Sequence, residues 1–93
     1  MQVTVEYAAQ IKQIAGVARE VIELDGPCPV AEVALRVAAS RSEGLAEILL
    51  GEDGQPRPSI LVFRGEDQVR WDDTETLVED GETITLLSPV SGG

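Results

Sequence analysis

The segment VAEVALRVAAS, residues 30–40, carries the strongest periodic pattern in the chain. Its apolar residues recur at spacings of three and four, which is the period of one face of a helix. They are Val30, Val33, Ala34, Val37 and Ala38. Pro29 comes directly before them and suits a first turn, where a helix needs no backbone N–H. The pattern predicts one main amphipathic helix, whose small side chains let it lie close to a sheet.

Two strands and a short helix are predicted before this helix. QVTVEYA, residues 2–8, alternates, with Val3, Val5 and Tyr7 on one side, and this pattern is typical of a half-buried strand. A helical spacing then runs through Tyr7, Ile11, Ile14, Ala15 and Ala18, and Gly16 predicts an early end to that helix. REVIELDG, residues 19–26, predicts a second strand that includes Leu24 and is closed by the turn at Asp25-Gly26-Pro27.

A short helix and three strands are predicted after the main helix. Leu45, Ile48 and Leu49 form a small apolar stripe, and residues 51–58 are broken by glycine and proline. SILVFR, residues 59–64, and QVRW, residues 68–71, predict strands joined by a tight turn. In the turn-rich connection that follows, we expect Leu77 to anchor the chain to the core. TITLL, residues 83–87, predicts a last strand with Ile84 and Leu86 opposite Leu87.

The predicted order is therefore strand, short helix, strand, long helix, short helix and three strands. Such an order favours an α+β roll, in which a mixed sheet of about five strands carries the main helix across one face. The length of 93 residues predicts one domain. We expect that domain to span residues 1–88 and a flexible tail to span residues 89–93.

The formal net charge of −10 argues against nucleic acid and anionic membranes as partners. Acidic residues are concentrated in residues 66–82, which favours either a partner with a basic docking face or simple solubility, including adaptation to salt. The sequence carries no secretory or membrane-spanning pattern. The single Cys28 fits a reducing cytoplasm, and we expect it to be structural.

Most catalytic and metal-binding constellations are missing from the sequence. It contains no histidine, so it has no Ser-His-Asp set, no Cys-His set and no imidazole metal site. The glycine patterns that cradle phosphate groups do not occur. The acids around Asp53 and Asp72 lack the spacing of a calcium loop. These observations predict no metal site and none of the common catalytic centres.

The C-terminal segment SPVSGG, residues 88–93, leaves one group with accessible chemistry. Gly92 and Gly93 have no Cβ, so this tail could enter a narrow channel and present the Gly93 carboxylate end-on. Activation as a mixed anhydride with AMP, in the ATP site of another protein, would make that carboxylate electrophilic. A sulfur donor would then give a thiocarboxylate and an amine would give a protein conjugate. The alternative is a frayed end without function.

Four segments together resemble the ubiquitin-like sulfur carriers, the family of the molybdopterin synthase small subunit and the thiamine sulfur carrier. They are VEYAAQIKQIAG, PVAEVALRVAA, VFRGEDQVRW and LVEDGETITLLSPVSGG, and they extend over nearly the whole chain. The Asp80-Gly81 turn followed by the Gly-Gly tail is the most specific part. The resemblance implies a β-grasp fold and a carrier that itself catalyses nothing.

The resemblance also implies a reaction and partners. An activating adenylyltransferase uses ATP to adenylate Gly93, which becomes a thiocarboxylate, and no cofactor is bound to the carrier. In the molybdopterin branch the synthase large subunit takes the tail, here Pro89, Val90, Ser91 and Gly92, into its active site. That branch often has proline where Ser88 stands, which leaves cysteine and thiamine synthesis open as pathways. A ubiquitin-like protein modifier would use the same tail.

In such carriers the helix-free face of the sheet docks the activating enzyme. The alternation of the last strand puts Leu87 on that face, and we expect Leu87, with Tyr7 and Val69, to form an apolar docking patch rimmed by the acids of residues 66–82. The alternative is that the three are core or scattered surface residues. We expect Trp71 to cover the edge of the sheet.

Overall fold

The computed structural model describes residues 1–40 and 43–88. Its helices and strands follow the order that the sequence predicts. They are β1 (Gln2–Ala9), α1 (Gln10–Ala15), β2 (Arg19–Glu23), α2 (Val30–Ser40), α3 (Glu43–Leu49), β3 (Leu61–Arg64), β4 (Asp67–Val69) and β5 (Thr83–Ser88). None of the described helices has the length and apolarity needed to cross a membrane.

The described strands form one mixed sheet in the order β2-β1-β5-β3-β4. The last of the described strands, β5, is the central strand of the sheet. It runs parallel to β1 and antiparallel to β3, while β2 and β4 are added antiparallel at the two edges. Because β5 has a neighbour on each side, its backbone is hydrogen-bonded along both edges. The predicted mixed sheet is confirmed.

The core lies between the sheet and the helices. Alternate residues of β1, namely Val3, Val5 and Tyr7, are buried on the face that meets α2, and we call this the covered face. The apolar residues predicted for the main helix are buried as well, and they are Val30, Val33, Ala34, Val37 and Ala38. Leu45 and Leu49 of α3 complete this side of the core. The period of the sequence therefore identifies both surfaces that pack together.

The short helix α1 follows β1 without an intervening loop. Ala9 makes this change of direction with φ 54° and ψ −130°, a backbone conformation that residues other than glycine rarely adopt. Gly16 ends the helix with φ 80°, as its position in the sequence predicts. The predicted apolar face is only partly correct, because Ile11 and Ala15 are buried but Ile14 is 40% exposed. Ala18 lies beyond the helix.

The prediction that Leu77 anchors the connection before β5 is wrong. Leu77 is 41% exposed, and its neighbour Val78 is fully buried. Val78 forms a bridge with Cys28, in which the N–H of each residue donates to the carbonyl of the other at 2.7 and 3.3 Å. This pairing joins segments that are distant in sequence, and it turns Val78 rather than Leu77 toward the core.

The edge strand β4 ends at Val69, two residues earlier than QVRW predicts. Trp71 lies in the turn that follows, where its indole N–H donates to the carbonyl of Ile60 at 2.7 Å. The ring also packs against the core cluster. Trp71 therefore ties the end of β4 to the connection before β3, and its role as a cover of the sheet edge stays a prediction.

Candidate functional site

The described part of the predicted site is the end of β5. In the parallel ladder Leu86 lies opposite Tyr7, Leu87 opposite Ala8 and Ser88 opposite Ala9. The strand thus ends beside the point where β1 turns into α1. The predicted tail residues Pro89, Val90, Ser91, Gly92 and Gly93 lie outside the described residues. Their roles, and the division into a domain over 1–88 and a flexible tail, stay predictions.

The helix-free face of the sheet carries a small apolar surface around Leu87. This residue is half-buried, and its neighbours across the ladder are Ala8 on one side and Leu61 on the other. Phe63 lies two residues along β3 from Leu61 and is therefore on the same face. We call these four half-buried residues, Ala8, Leu61, Phe63 and Leu87, the open-face patch. The predicted position of Leu87 on the helix-free face is confirmed.

Tyr7 and Val69 do not lie on this face, so their assignment to the patch is wrong. Tyr7 is 3% exposed on the covered face, and its hydroxyl donates a hydrogen bond to the Glu20 carboxylate. Val69 lies directly opposite the buried Val62 and packs against the core. Both positions follow from the twofold period of a strand, since residues paired across strands share a face.

Leu61 and Phe63 were missed by the sequence interpretation, although their strand contains the signal. LVFR, residues 61–64, alternates around the buried Val62, so its two large neighbours must face the other way. A strand with apolar residues on both faces indicates either a second packed layer or an exposed contact surface. Among the described residues no second layer covers this face of the sheet.

Charged side chains lie at the start of β5, at the end opposite to Ser88. The Arg64 guanidinium donates to the Glu82 carboxylate at 2.6 Å, and the backbone N–H of Glu79 donates to its other oxygen at 2.6 Å. Burial raises the pKa of Glu82, but these hydrogen bonds outweigh it and hold the pKa below its ordinary value. The Asp80 carboxylate accepts from the Gln2 N–H at 2.7 Å. The acids at this end thus hold the turn before β5.

These acids are remote from Leu87. Glu82 precedes the first residue of β5 and Leu87 is near its last, so about 16 Å of strand separates them. The acids of residues 79–82 therefore do not adjoin Leu87, around which the rim was predicted. Arg70 and Asp72 follow β4 near Leu61, where they form an ion pair at 2.9 Å. The hydrogen bond from Arg70 lowers the pKa of Asp72.

The only cysteine, Cys28, is half-buried at the bridge to Val78. Burial, and then the nearby charge of Glu32, raises the pKa of its thiol. A thiol of raised pKa is a poor nucleophile at neutral pH. The Cys28 side chain packs against the core cluster. Among residues 1–40 and 43–88, no three histidine, cysteine, aspartate or glutamate side chains gather as a metal site would require.

A mixed five-stranded sheet with one main helix across it, ending in a central strand that leads to the C-terminal segment, defines a ubiquitin-like β-grasp protein. The chain belongs to the ThiS family, whose model matches residues 5–93. It is a member of the ubiquitin-like sulfur carriers and modifiers, as the resemblance implied.

Three individual proteins illustrate this relationship. The chain is 29% identical over 94 residues to small archaeal modifier protein 3 of Haloferax volcanii, with all of both chains covered. The crystal structure of SAMP1 from Haloferax volcanii has the same fold, with a TM-score of 0.85 and 22% identity over the full length of both chains. A chain from the complex of molybdopterin-converting factor subunits 1 and 2 of Helicobacter pylori matches at a TM-score of 0.60 and 26% identity, again with both chains fully covered.

Proposed function

We propose that this protein carries an activated acyl group at its C-terminus. In this proposal a partner enzyme adenylates the Gly93 carboxylate, which becomes a thiocarboxylate and donates its sulfur to a synthase. The observation that carries the proposal is the family match, which runs to residue 93 and so includes Gly92 and Gly93. The chain itself acts as a carrier, and the partners supply the catalysis.

Each step of the proposed reaction balances. A Gly93 carboxylate oxygen attacks the α-phosphorus of ATP, pyrophosphate leaves, and an acyl-adenylate forms. A hydrosulfide equivalent from a sulfur donor then attacks the acyl carbon, and AMP leaves with the electrons of the broken C–O bond. The ATP belongs to the activating enzyme, and the carrier binds no cofactor of its own.

The fold supports this proposal through the central position of β5. Ser88 is tied to Ala9 in the parallel ladder, so the last described residue is held on a hydrogen-bonded strand. Five residues beyond it have a maximum reach of about 17 Å, which is long enough to enter a partner's active site. Gly92 and Gly93 lack a Cβ and suit a narrow channel. Pro89 reduces the freedom of the first tail residue.

The open-face patch is the proposed docking surface for the activating enzyme. It lies on the same strand as the tail, with Leu87 one residue before Ser88, so an enzyme that covers the patch is also close to the tail. Half-buried leucine and phenylalanine side chains offer apolar area that can be removed from water on binding.

For the pathway we propose molybdopterin synthesis, with this chain as the small subunit of the synthase and the large subunit as its partner. The similarity to a protein of the Helicobacter pylori converting-factor complex supports this choice. Ser88, which stands where that branch often has proline, keeps sulfur delivery for cysteine or thiamine synthesis as alternatives. The absence of any cysteine besides Cys28 agrees with action in the cytoplasm.

A second candidate function is that of a ubiquitin-like protein modifier. The similarity to small archaeal modifier protein 3 favours it. The first step is the same adenylation of Gly93, but an amine of a target protein then displaces AMP and forms an amide bond. The two functions therefore share the tail and the activating enzyme, and they differ in the second nucleophile.

The intact mass of protein purified from its native host separates the two functions. If the protein is a sulfur carrier, we expect the mass to show exchange of one oxygen for sulfur at Gly93. Lysine-linked adducts without this exchange would contradict the carrier function and support the modifier. The control is a chain that lacks Gly93, assayed for ATP–pyrophosphate exchange with the host's activating enzyme. If this shortened chain is activated as well as the full one, the assignment of Gly93 fails.

A further inference from the structure

A groove lies at the edge of the sheet, where the ends of β3 and β4 meet the loop before β3. Its volume is about 340 Å³, and most of the side chains that line it are apolar, among them Pro56, Pro58, Ile60, Leu61 and Trp71. We call it the edge groove. This volume is near the lower limit of ligand sites, so the edge groove suits a short segment with small side chains.

The edge groove adjoins the last described residues of β5. Leu87 is paired with Leu61. By the same register, Ser88 lies level with Ile60, which lines the groove together with Leu61. β3 does not extend further, because the residues before it form a turn, in which the Ile60 N–H donates to the Arg57 carbonyl at 3.0 Å. The segment after Ser88 therefore has no strand to pair with on this side, and the groove lies beside it.

Residues 89–93 match the edge groove in length and in the order of their chemistry. Neighbouring strands are about 4.8 Å apart, so Arg70, which follows the edge strand β4, lies about 10 Å from Leu87. Five residues reach about 17 Å, which is enough to cross this distance. The segment begins with the apolar Pro89 and Val90 and ends in a carboxylate. The groove is apolar beside β5 and has a cation on its other side.

Arg70 has donors that can bind a carboxylate. It is the one cation among the described residues that line the groove, and Asp72 is the one acid. The Arg70 side chain is 82% exposed and uses two N–H groups on the Asp72 carboxylate, each at 2.9 Å. A guanidinium has five N–H donors, so three remain for a second carboxylate. Exposed ion pairs are weak, so Asp72 does not lock Arg70 in one position.

We propose that residues 89–93 occupy the edge groove in the free protein. Pro89 and Val90 lie against its apolar wall, and the Gly93 carboxylate binds Arg70. The contact is autoinhibitory, because a carboxylate held at Arg70 is withdrawn from activation.

Leu61 connects the edge groove with the open-face patch, since it belongs to both. An enzyme that covers the patch therefore contacts Leu61 and competes there with the C-terminal segment. Docking then releases the segment at the moment when the enzyme needs it. This release rests on the proposed function, whereas the contact in the free protein does not.

Trp71 provides the test of the contact, because it is the only tryptophan of the chain and lines the groove. A chain that ends at Ser88 keeps all the described strands. We expect its fluorescence to lie at longer wavelength than that of the full chain and to be quenched more strongly by acrylamide. Equal emission and quenching would overturn the proposal and leave the groove to a segment of another protein. A difference that grows with protein concentration would also overturn it, because the occupant would be the tail of a second copy.

Arg70→Gln separates the contact from a direct effect on the ring. This variant should increase quenching in the full chain and leave it unchanged in the chain that ends at Ser88. Arg36→Gln is the control, because it removes the same charge from an exposed position of α2, and it should change neither. An equal increase in both chain lengths would mean that Arg70 acts on Trp71 without the tail, and the proposed contact would fail.

Autoinhibition is tested by ATP–pyrophosphate exchange with the activating enzyme of the host. If the tail is free in about one tenth of the molecules, freeing it lowers the KM for the carrier by up to about tenfold. We expect Arg70→Gln to lower this KM and Arg36→Gln to leave it unchanged. An unchanged or raised KM for Arg70→Gln would overturn autoinhibition. Absence of exchange with the natural chain would remove the proposed function, while the fluorescence test, which needs no enzyme or ATP, still decides the contact.

Discussion

Leu86 and Leu87 are neighbours on β5, but they lie on opposite faces of the sheet. Leu86 is fully buried between Tyr7 of β1 and Val62 of β3, beneath the helices. Leu87 lies between Ala8 and Leu61 and is half-buried on the helix-free face. The same side chain at adjacent positions therefore has two environments, and the difference comes only from the alternation of the strand.

This comparison shows how one strand can serve both stability and contact. The covered face removes apolar area from water within the chain, so its side chains contribute to folding. The open-face patch leaves apolar area available for a partner. A slip of one residue in the pairing of β5 would exchange the two leucines, and the buried Ile84 would become exposed. The register is therefore set by the covered face and in turn fixes the composition of the patch.

The largest expected effect is that of Leu86→Ala. Truncating a fully buried leucine loses transfer free energy and leaves a cavity, which together cost about 2–5 kcal/mol of unfolding free energy. Urea unfolding followed by circular dichroism measures this cost. Leu87→Ala is the matched control, and we expect it to cost less than about 1 kcal/mol. Equal losses in the two variants would contradict the assignment of the faces.

The next effect concerns the edge of the covered face, at Trp71. Trp71→Phe keeps an aromatic ring but removes the indole N–H that donates to the carbonyl of Ile60. Ile60 is 2% exposed, so its carbonyl would lose a partner that water cannot readily replace, at a cost of about 1–2 kcal/mol. Urea unfolding checks this value. A variant as stable as the natural chain would show that ring packing alone fixes this edge.

A smaller effect, measured on binding rather than folding, is expected for Leu87→Ala. If the open-face patch docks the activating enzyme, this variant should raise the KM for the carrier roughly fivefold, or about 1 kcal/mol, with kcat unchanged. Val21→Ala is the control, because Val21 is 60% exposed on the same face but lies on the edge strand β2. An equal rise in KM for both variants would argue against a localised docking patch.

The sequence predicts those parts of this fold that depend on local periodicity. The alternation of β1 and β5 and the helical period of residues 30–40 identify the covered face residue by residue. Leu77 and Val78 mark the limit of such reasoning. They lie in a connection whose apolar residues show no helical or strand periodicity. Which of the two is buried depends on the bridge from Val78 to Cys28, which joins segments that are distant in sequence.

The two errors at the candidate site, Val69 and Tyr7, have different origins. Val69 depends on its pairing with Val62, and pairing partners cannot be read from one sequence. Tyr7 is different, because its alternation with Val3 and Val5 already placed it in the core. The tail was predicted from chemistry, since a Gly-Gly end has no periodicity to interpret. Its assignment therefore depends on the experiments on Gly93.

The smallest expected effect lies at the end of the covered face, where Arg64 and Glu82 pair. The lowered pKa of Glu82 means that its charged form is favoured in the folded state. The charged Glu82 therefore contributes to stability above the ordinary glutamate pKa of about 4.5, and this contribution is lost as the pH falls through the lower pKa of the folded state.

Glu82→Gln should lower the melting temperature at neutral pH, and the difference in melting temperature between this variant and the natural chain should shrink toward about pH 2. Glu66→Gln is the control, because it removes a charge from the nearby β3–β4 turn but keeps the bond to Arg64. A difference that stays constant from about pH 6 to about pH 2 would mean that Glu82 acts through its shape rather than through its charge.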